Sequence, residues 1–246
     1  FLRDHPFLVN APVTRAAIQL AGLTMAASGG AMAAVQRDFG RLLGYAALSD
    51  LGVLLLALGT SSSQSVALVL LHVVSRSASI TLMAAALAIL RHRATTDRFA
   101  ELGGVARRLP LTTTALILGG LALAGFPFTA GFPTHWAVSR SVWTWTHTLS
   151  FLKPEATLAT NPSSIGQWAS TLALLAILAS SAGIIIGLLR GLSAMLGSDD
   201  REDVVRQPIL ASMMVLALAA LVIVLGLYPQ LFLGLVQSAA QAFSLF

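Results

Sequence analysis

The stretch LTTTALILGGLALAGFPFTAGFPTHW, residues 111–136, decides the fold of this chain. It begins as an uncharged apolar run from Leu111 to Gly125 and continues into the segment Phe126–Pro133, which contains two prolines and a glycine. Proline removes a backbone donor and stops a helix, and unpaired backbone inside a membrane is tolerated only where protein or a polar cavity surrounds it. The stretch therefore predicts a helix that breaks at Phe126–Pro133 and resumes from Thr134.

The composition of the whole chain indicates that this helix lies in a membrane. Of the 246 residues, 56% are hydrophobic and 10% are charged, with a mean hydropathy of +0.82, whereas soluble domains carry about a quarter charged residues. We therefore exclude a soluble globular fold and predict an all-α polytopic membrane protein in a lipid bilayer, with six transmembrane helices of about 20 residues, the fourth discontinuous. The five other apolar runs are Thr14–Val35, Leu42–Gly59, Val66–Leu90, Trp168–Leu196 and Ile209–Leu227.

The basic residues indicate the orientation of the chain and not a nucleic-acid partner. The formal net charge is +5, but most arginines lie in short loops between apolar runs. Short cytoplasmic loops concentrate lysine and arginine. Those after the first, third and fifth runs hold nine arginines, whereas the loop after the second is uncharged and the loop after the fourth holds Lys153. Both termini are therefore predicted to lie on the non-cytoplasmic side.

The sequence predicts no cofactor, no metal ion and no catalytic residue. There is no cysteine, which removes thiolate metal sites, iron–sulfur clusters and cysteine nucleophiles. No segment has the spacing of a phosphate-binding glycine loop, a metal-ligand motif or a nucleophile elbow. The chain begins at Phe1 without a signal-peptide pattern, and we expect it to be part of a longer protein.

The third apolar run carries a polar stripe. His72 and Arg76 lie four residues apart, with Ser75 and Ser79 beside them, so they share one helical face. Each ionisable group within a bilayer costs roughly 2.5 to 3.5 kcal/mol, and such groups indicate function. Histidine exchanges protons near neutral pH, whereas arginine stays charged. The stripe is a candidate proton path; alternatively, His72 and Arg76 satisfy carbonyls between packed helices.

Two further ionisable residues are predicted to lie at membrane depth. Asp50, near the middle of the second run, needs a positively charged partner, and we predict that this partner is Arg76. The pair would have either a structural role, as an ion pair between two helices, or a gating role. His135 follows the Pro133 break, where free backbone groups and a helix N-terminus form a polar pocket. Alternatively, His135 is an ordinary histidine at the membrane interface, beside Trp136.

Several segments resemble a known family. Residues 36–52, QRDFGRLLGYAALSDLG, are similar to the Q-x-D-x-K-R-x-L-A-Y-S-S-I-x-x-x-G signature of antiporter-like subunits of respiratory complex I and of Mrp-type cation/proton antiporters. Residues 102–111, LGGVARRLPL, followed by LAGFP at 123–127 and GF at 131–132, resemble the family's L-G-G-L-x-x-x-M-P and L-A-G-x-P-P-x-x-G-F-x-x-K. The matches follow the family's order through most of residues 14–140.

The resemblance implies the second half of an antiporter-like subunit. Residues 14–196 would form the second of two inverted five-helix repeats, after a non-cytoplasmic lead-in at 1–13. Residues 197–246 would add a charged loop, a closing sixth helix and an apolar tail. His72 would lie on the polar central axis and His135 at the lysine or glutamate of the broken helix. A lysine found in relatives one to two turns after the central histidine would fall on Ile80.

The implied function is proton translocation. The chain would be a membrane subunit of a complex I-like redox-driven pump of the NADH:quinone oxidoreductase type, with a half-channel lined by His72 and His135 and no electron-carrying chemistry of its own. Its partners would be other membrane subunits, in the inner membrane of a bacterium. Two alternatives remain open: a subunit of an Mrp-type antiporter or of a complex I-related inorganic-carbon uptake system, and a degenerate scaffold paralogue, favoured by Ile80.

Overall fold

The computed structural model describes residues 12–59, 65–148, 162–197 and 209–232, together with 234 and 238. The lead-in up to residue 11, the loop around Lys153, the charged segment 198–208 and most of the tail after 232 lie outside the described residues. The described ranges contain eight bounded α-helices, a 3₁₀ turn at Phe99–Glu101 and further helical residues at 230–232, 234 and 238. The helices are α1 Pro12–Val35, α2 Phe39–Gly59, α3 Ser65–Ala94, α4 Val105–Arg108, α5 Pro110–Leu123, α6 Gly131–Thr148, α7 Pro162–Leu196 and α8 Ile209–Leu227.

Five of these helices are long and apolar enough to cross a membrane. They are α1, α2, α3, α7 and α8, and the protein is an integral membrane protein. The fourth apolar run of the sequence corresponds to two helices, because α5 ends at Leu123 and α6 begins at Gly131. At a rise of about 1.5 Å per residue, α5 alone is shorter than the hydrocarbon core of a bilayer, which is about 30 Å thick.

Several predicted helix boundaries were wrong. The helix after the break begins at Gly131 and not at Thr134, because Pro133 lies in its first turn, where a missing N–H breaks no helical hydrogen bond. Helix α3 continues to Ala94, so Arg91 and Arg93, which were predicted to lie in the loop after the third run, are in its last turn. Positive charges at this end of a helix interact favourably with the helix dipole. Helix α7 begins at Pro162 and not at Trp168.

Small residues bring α1 into close contact with two neighbours. A Cβ added at Gly29 would lie 2.6 Å from the backbone nitrogen of Ser49 in α2, and one added at Gly30 would lie 2.8 Å from Cβ of Ser180 in α7. Helix backbones approach this closely in membranes only at such residues. Helix α1 is therefore tightly packed against both α2 and α7.

The arginine-bearing loops meet at one end of the bundle. The backbone N–H of Phe39 donates to the carbonyl oxygen of Asp97 at 3.1 Å, and the N–H of Gly40 donates to Oδ2 of Asp97 at 3.0 Å. The N–H of Gly104 donates to the carbonyl oxygen of Gly197, at the end of α7. The loops after α1 and α3 and the end of α7 therefore share one side, as the arginine distribution predicts.

Packing around the break positions the functional site. Helix α3 packs against α2, α5, α6 and α8, and α6 also contacts α2 and α7. Gly226 of α8 lies against Thr129, so non-helical backbone is covered by protein at this point. The middle of α2 and α3 and the first turns of α6 consequently face one another inside the bundle.

Candidate functional site

Four ionisable side chains from three helices meet in the interior of the bundle. Asp50 of α2 is 3% exposed and His72 of α3 is 1% exposed. Oδ1 of Asp50 lies 3.3 Å from Nε2 of His72 and 3.1 Å from Nε2 of His135, from the second turn of α6. Two imidazoles therefore converge on one carboxylate oxygen. We call Asp50, His72, Arg76 and His135 the buried cluster.

Arg76 provides the positive charge beside the carboxylate. Its Nη1 lies 3.4 Å from Oδ2 of Asp50, and its Nη2 donates to the carbonyl oxygen of Ala47 at 3.1 Å. The predicted contact between Asp50 and Arg76 is present. An ionised carboxylate and a guanidinium compensate each other's charge in the interior of the bundle.

The break before α6 fixes the position of His135. Gly125 has a φ of +70°, in the left-handed region that glycine adopts without strain. A Cβ at this position would lie 2.6 Å from Cγ of His135, so the backbone of the break rests directly on the imidazole ring. The glycine after α5 therefore both turns the chain and makes room for the histidine.

The buried cluster has more polar atoms than hydrogen bonds. In the tautomer that carries its proton on Nε2, His135 donates a hydrogen bond to Oδ1 of Asp50. Among the described residues, Nδ1 of His72 is buried without a hydrogen-bond partner. Nε2 of His72, Oδ2 of Asp50 and Nη1 of Arg76 are also buried and have only the ion-pair contacts given above, none of which is a hydrogen bond. Leaving a buried polar atom unpaired costs about 1 to 3 kcal/mol, so this arrangement favours a role in which a proton, water or an ion uses those atoms.

The two predicted serines lie beside the cluster on α3. Ser75 and Ser79 are both buried, and the hydroxyl of Ser79 donates to the carbonyl oxygen of Ser75 in its own helix at 2.8 Å. Ile80 packs against the apolar core, and the cation one turn after His72 is Arg76. The stripe predicted from the sequence therefore contributes His72 and Arg76 to the cluster.

The convergence of both histidines on Asp50 was not predicted. Their rings are 5.7 Å apart between centroids and inclined by 30°. The residue types were visible in the sequence, but His135 is 85 positions from Asp50 and belongs to a helix whose approach depends on the break. A carboxylate and two histidines are also residue types that bind metal ions.

The sequence profile described as "NADH:quinone oxidoreductase/Mrp antiporter, TM" matches residues 2–160, which include the whole buried cluster. The chain belongs to this family. One similar family member is NADH-ubiquinone oxidoreductase chain 5 of Metridium senile, which is 27% identical over 132 residues. That match covers 53% of this chain and 22% of the relative, so the chain spans about a fifth of the relative's length at the matched segment.

Two solved structures share the fold of this chain. A chain of the Mrp complex from Dietzia sp. DQ12-45-1b matches with a TM-score of 0.73 and 15% identity, over 92% of this chain and 46% of that one. A chain of respiratory complex I from Thermus thermophilus matches with a TM-score of 0.67 and 22% identity, over 95% of this chain and 46% of that one. Both neighbours belong to multi-subunit membrane complexes.

Proposed function

We propose that this chain forms the second half of an antiporter-like membrane subunit and that the buried cluster transfers protons in its half-channel. The observation that carries the proposal is the contact of two imidazoles from different helices with one oxygen of Asp50. The family match supports a proton-translocating subunit as the wider role.

The geometry supports transfer through a carboxylate shared by two histidines. A proton that reaches Nε2 of His135 is 3.1 Å from Oδ1 of Asp50, and the same oxygen is 3.3 Å from Nε2 of His72. Both separations are short enough for transfer after a small side-chain movement. Nδ1 of His72, which is buried and unpaired among the described residues, offers the next position for the proton. Arg76 compensates the charge of Asp50, stays protonated and does not take part in proton transfer itself.

The same proposal includes six membrane crossings. Helices α1, α2, α3, α7 and α8 would each cross once, and α5 and α6 would together form the fourth, discontinuous crossing. Half-helices whose ends meet at membrane depth bind ions and polar groups in transport proteins. His135 stands at this position, next to the turn made by Gly125.

We further propose a complex I-like redox-driven pump in the cytoplasmic membrane of a bacterium, with other membrane subunits as partners. The family description joins NADH:quinone oxidoreductase with Mrp antiporters, so an antiporter complex is the second candidate. Purification of the native complex distinguishes the two. Co-purifying subunits with iron–sulfur clusters and a quinone site support the pump, and a set of membrane subunits without redox centres supports the antiporter.

Substitution of either central histidine should stop proton movement. We expect His72→Ala and His135→Ala to reduce coupled proton uptake by the complex in proteoliposomes by about 100-fold or more, the usual contribution of a positioned acid or base. His135→Lys, which places the family's residue at the break, should retain activity. A pH-sensitive dye inside the vesicles measures the uptake.

The matched control is His92→Ala, because His92 is exposed in the last turn of α3, away from the cluster. It should assemble and pump as the unsubstituted chain does. Normal pumping by the double variant His72→Ala/His135→Ala would leave the chain with a scaffold role.

Labelling should reveal the orientation of the bundle. The cysteine-free chain allows single cysteines at Thr95, after α3, and at Ser163, in the first turn of α7. A membrane-impermeant thiol reagent should modify Thr95→Cys only from the cytoplasmic side and Ser163→Cys only from the opposite side, because the arginine-rich loops stay cytoplasmic. Modification of both from the same side would contradict six crossings.

A further inference from the structure

We propose that Asp50, His72 and His135 also form a binding site for one divalent transition-metal ion of the zinc class. The three residues come from α2, α3 and α6, and all three are buried. This inference concerns binding and does not depend on whether the chain conducts protons. The sequence analysis predicted no metal ion. It missed this site because three ligands on three separate helices form no local motif.

The spacing of the three ligand atoms fits a tetrahedral ion. Oδ1 of Asp50 lies 3.1 Å from Nε2 of His135 and 3.3 Å from Nε2 of His72. Each of the three residues offers one ligand atom within 4.8 Å of those of the other two. Bonds of about 2.0 to 2.1 Å in a tetrahedral zinc site place neighbouring ligand atoms about 3.3 Å apart. Two pairs already have about this spacing, and binding an ion would require the two histidine nitrogens to come to about the same separation.

The chemistry of the ligands selects the class of ion. Two imidazoles and a carboxylate suit zinc and neighbouring first-row metals, whereas calcium and magnesium prefer oxygen ligands. Sites with three protein ligands keep a fourth position for water or another small molecule. The chain has no cysteine, so no thiolate within it competes for the ion.

The unpaired atoms of the cluster provide an independent argument. His72 is 1% exposed, yet neither of its ring nitrogens has a hydrogen-bond partner among the described residues. Its Nε2 nevertheless points at the same carboxylate oxygen as His135. A bound cation would provide a partner for that nitrogen and for the carboxylate oxygen together.

Arg76 limits the affinity of this site. Its Nη1 lies 3.4 Å from Oδ2 of Asp50, so a divalent ion on Oδ1 would bind close to a fixed positive charge. Arg76→Gln should therefore bind zinc at least about tenfold more tightly, because this repulsion is lost. A merely structural role of the histidines would not produce that change.

Zinc titration of the purified complex tests the site. After treatment with a chelator, the complex is dialysed against Zn²⁺ and its metal content is measured by mass spectrometry. The unsubstituted complex should bind one more equivalent per chain than the variants His72→Gln and His135→Gln. Each substitution should weaken binding by more than about 100-fold, beyond the usual effect of an outer-shell partner. The control His92→Gln should bind as the unsubstituted complex does.

A cysteine in place of one histidine locates the ion without relying on loss of binding. His135→Cys should keep the site, and X-ray absorption should then show one Zn–S distance of about 2.3 Å in place of one Zn–N distance. Equal zinc content in all variants, or no sulfur ligand in His135→Cys, would overturn the inference. Proton uptake measured in zinc-free vesicles tests the proposed function separately, so either proposal can fail alone.

Discussion

Asp50→Asn should reduce the free energy of unfolding of the membrane-embedded chain by about 3 to 5 kcal/mol, the range found when one partner of a buried ion pair is removed. The substitution leaves the guanidinium of Arg76 without its carboxylate, and the side chain of Arg76 is only 16% exposed. It also removes the oxygen that both histidines contact. Thermal unfolding of the complex in lipid nanodiscs measures the loss.

The double variant Asp50→Asn/Arg76→Gln separates the ion pair from the rest of the cluster. Since neither charge is then stranded, it should be more stable than the sum of the two single losses predicts, by about 1 kcal/mol or more. The matched control is the pair of Asp38, just before α2, and Arg41, in its first turn. Oδ2 of Asp38 lies 3.4 Å from Nε of Arg41, and the pair should show little coupling because the side chain of Arg41 is 75% exposed. Additive losses at Asp50 and Arg76 would mean that the two side chains do not stabilise each other.

The long apolar runs were enough to predict most helices. In a bilayer every backbone N–H and C=O must be paired within the segment, so an apolar run of sufficient length becomes a helix whatever it packs against. The errors occurred at helix ends, as at Gly131 and Ala94, where first-turn proline and last-turn arginine are compatible with a helix although they resemble loop residues. Local composition predicts the helix well and its end poorly.

The site could be predicted as a set of residues but not as an arrangement. The contact of Asp50 with Arg76 followed from charge alone, because a buried carboxylate requires a cation. The contact of His135 with Asp50 depends on how α6 enters the bundle, which is determined by Gly125 and by the helices that cover the break. Such tertiary packing leaves no periodic pattern in the sequence. The sequence analysis therefore also missed the proposed metal site.

The cluster also depends on the close packing of α1 against α2. Helix α1 contacts both α2 and α7. Gly30 meets the backbone and the Cβ of Ser180 in α7, and Gly29 meets the backbone of Ser49, one residue before Asp50. A larger residue in α1 would therefore displace the helix that carries the carboxylate.

Gly30→Ala should destabilise the chain by about 3 kcal/mol, because the added methyl group meets backbone atoms that cannot rotate away. Gly44→Ala, with nothing within 4 Å of the added Cβ, should instead be neutral or more stable by up to about 1 kcal/mol, since alanine favours the helix. Both changes add one methyl group to a helical glycine, so their difference isolates packing from helix propensity. The unfolding temperature in nanodiscs and the amount of chain in the purified complex should both fall for Gly30→Ala and should not fall for Gly44→Ala. Equal behaviour of the two variants would mean that α1 does not pack against α7 at Gly30.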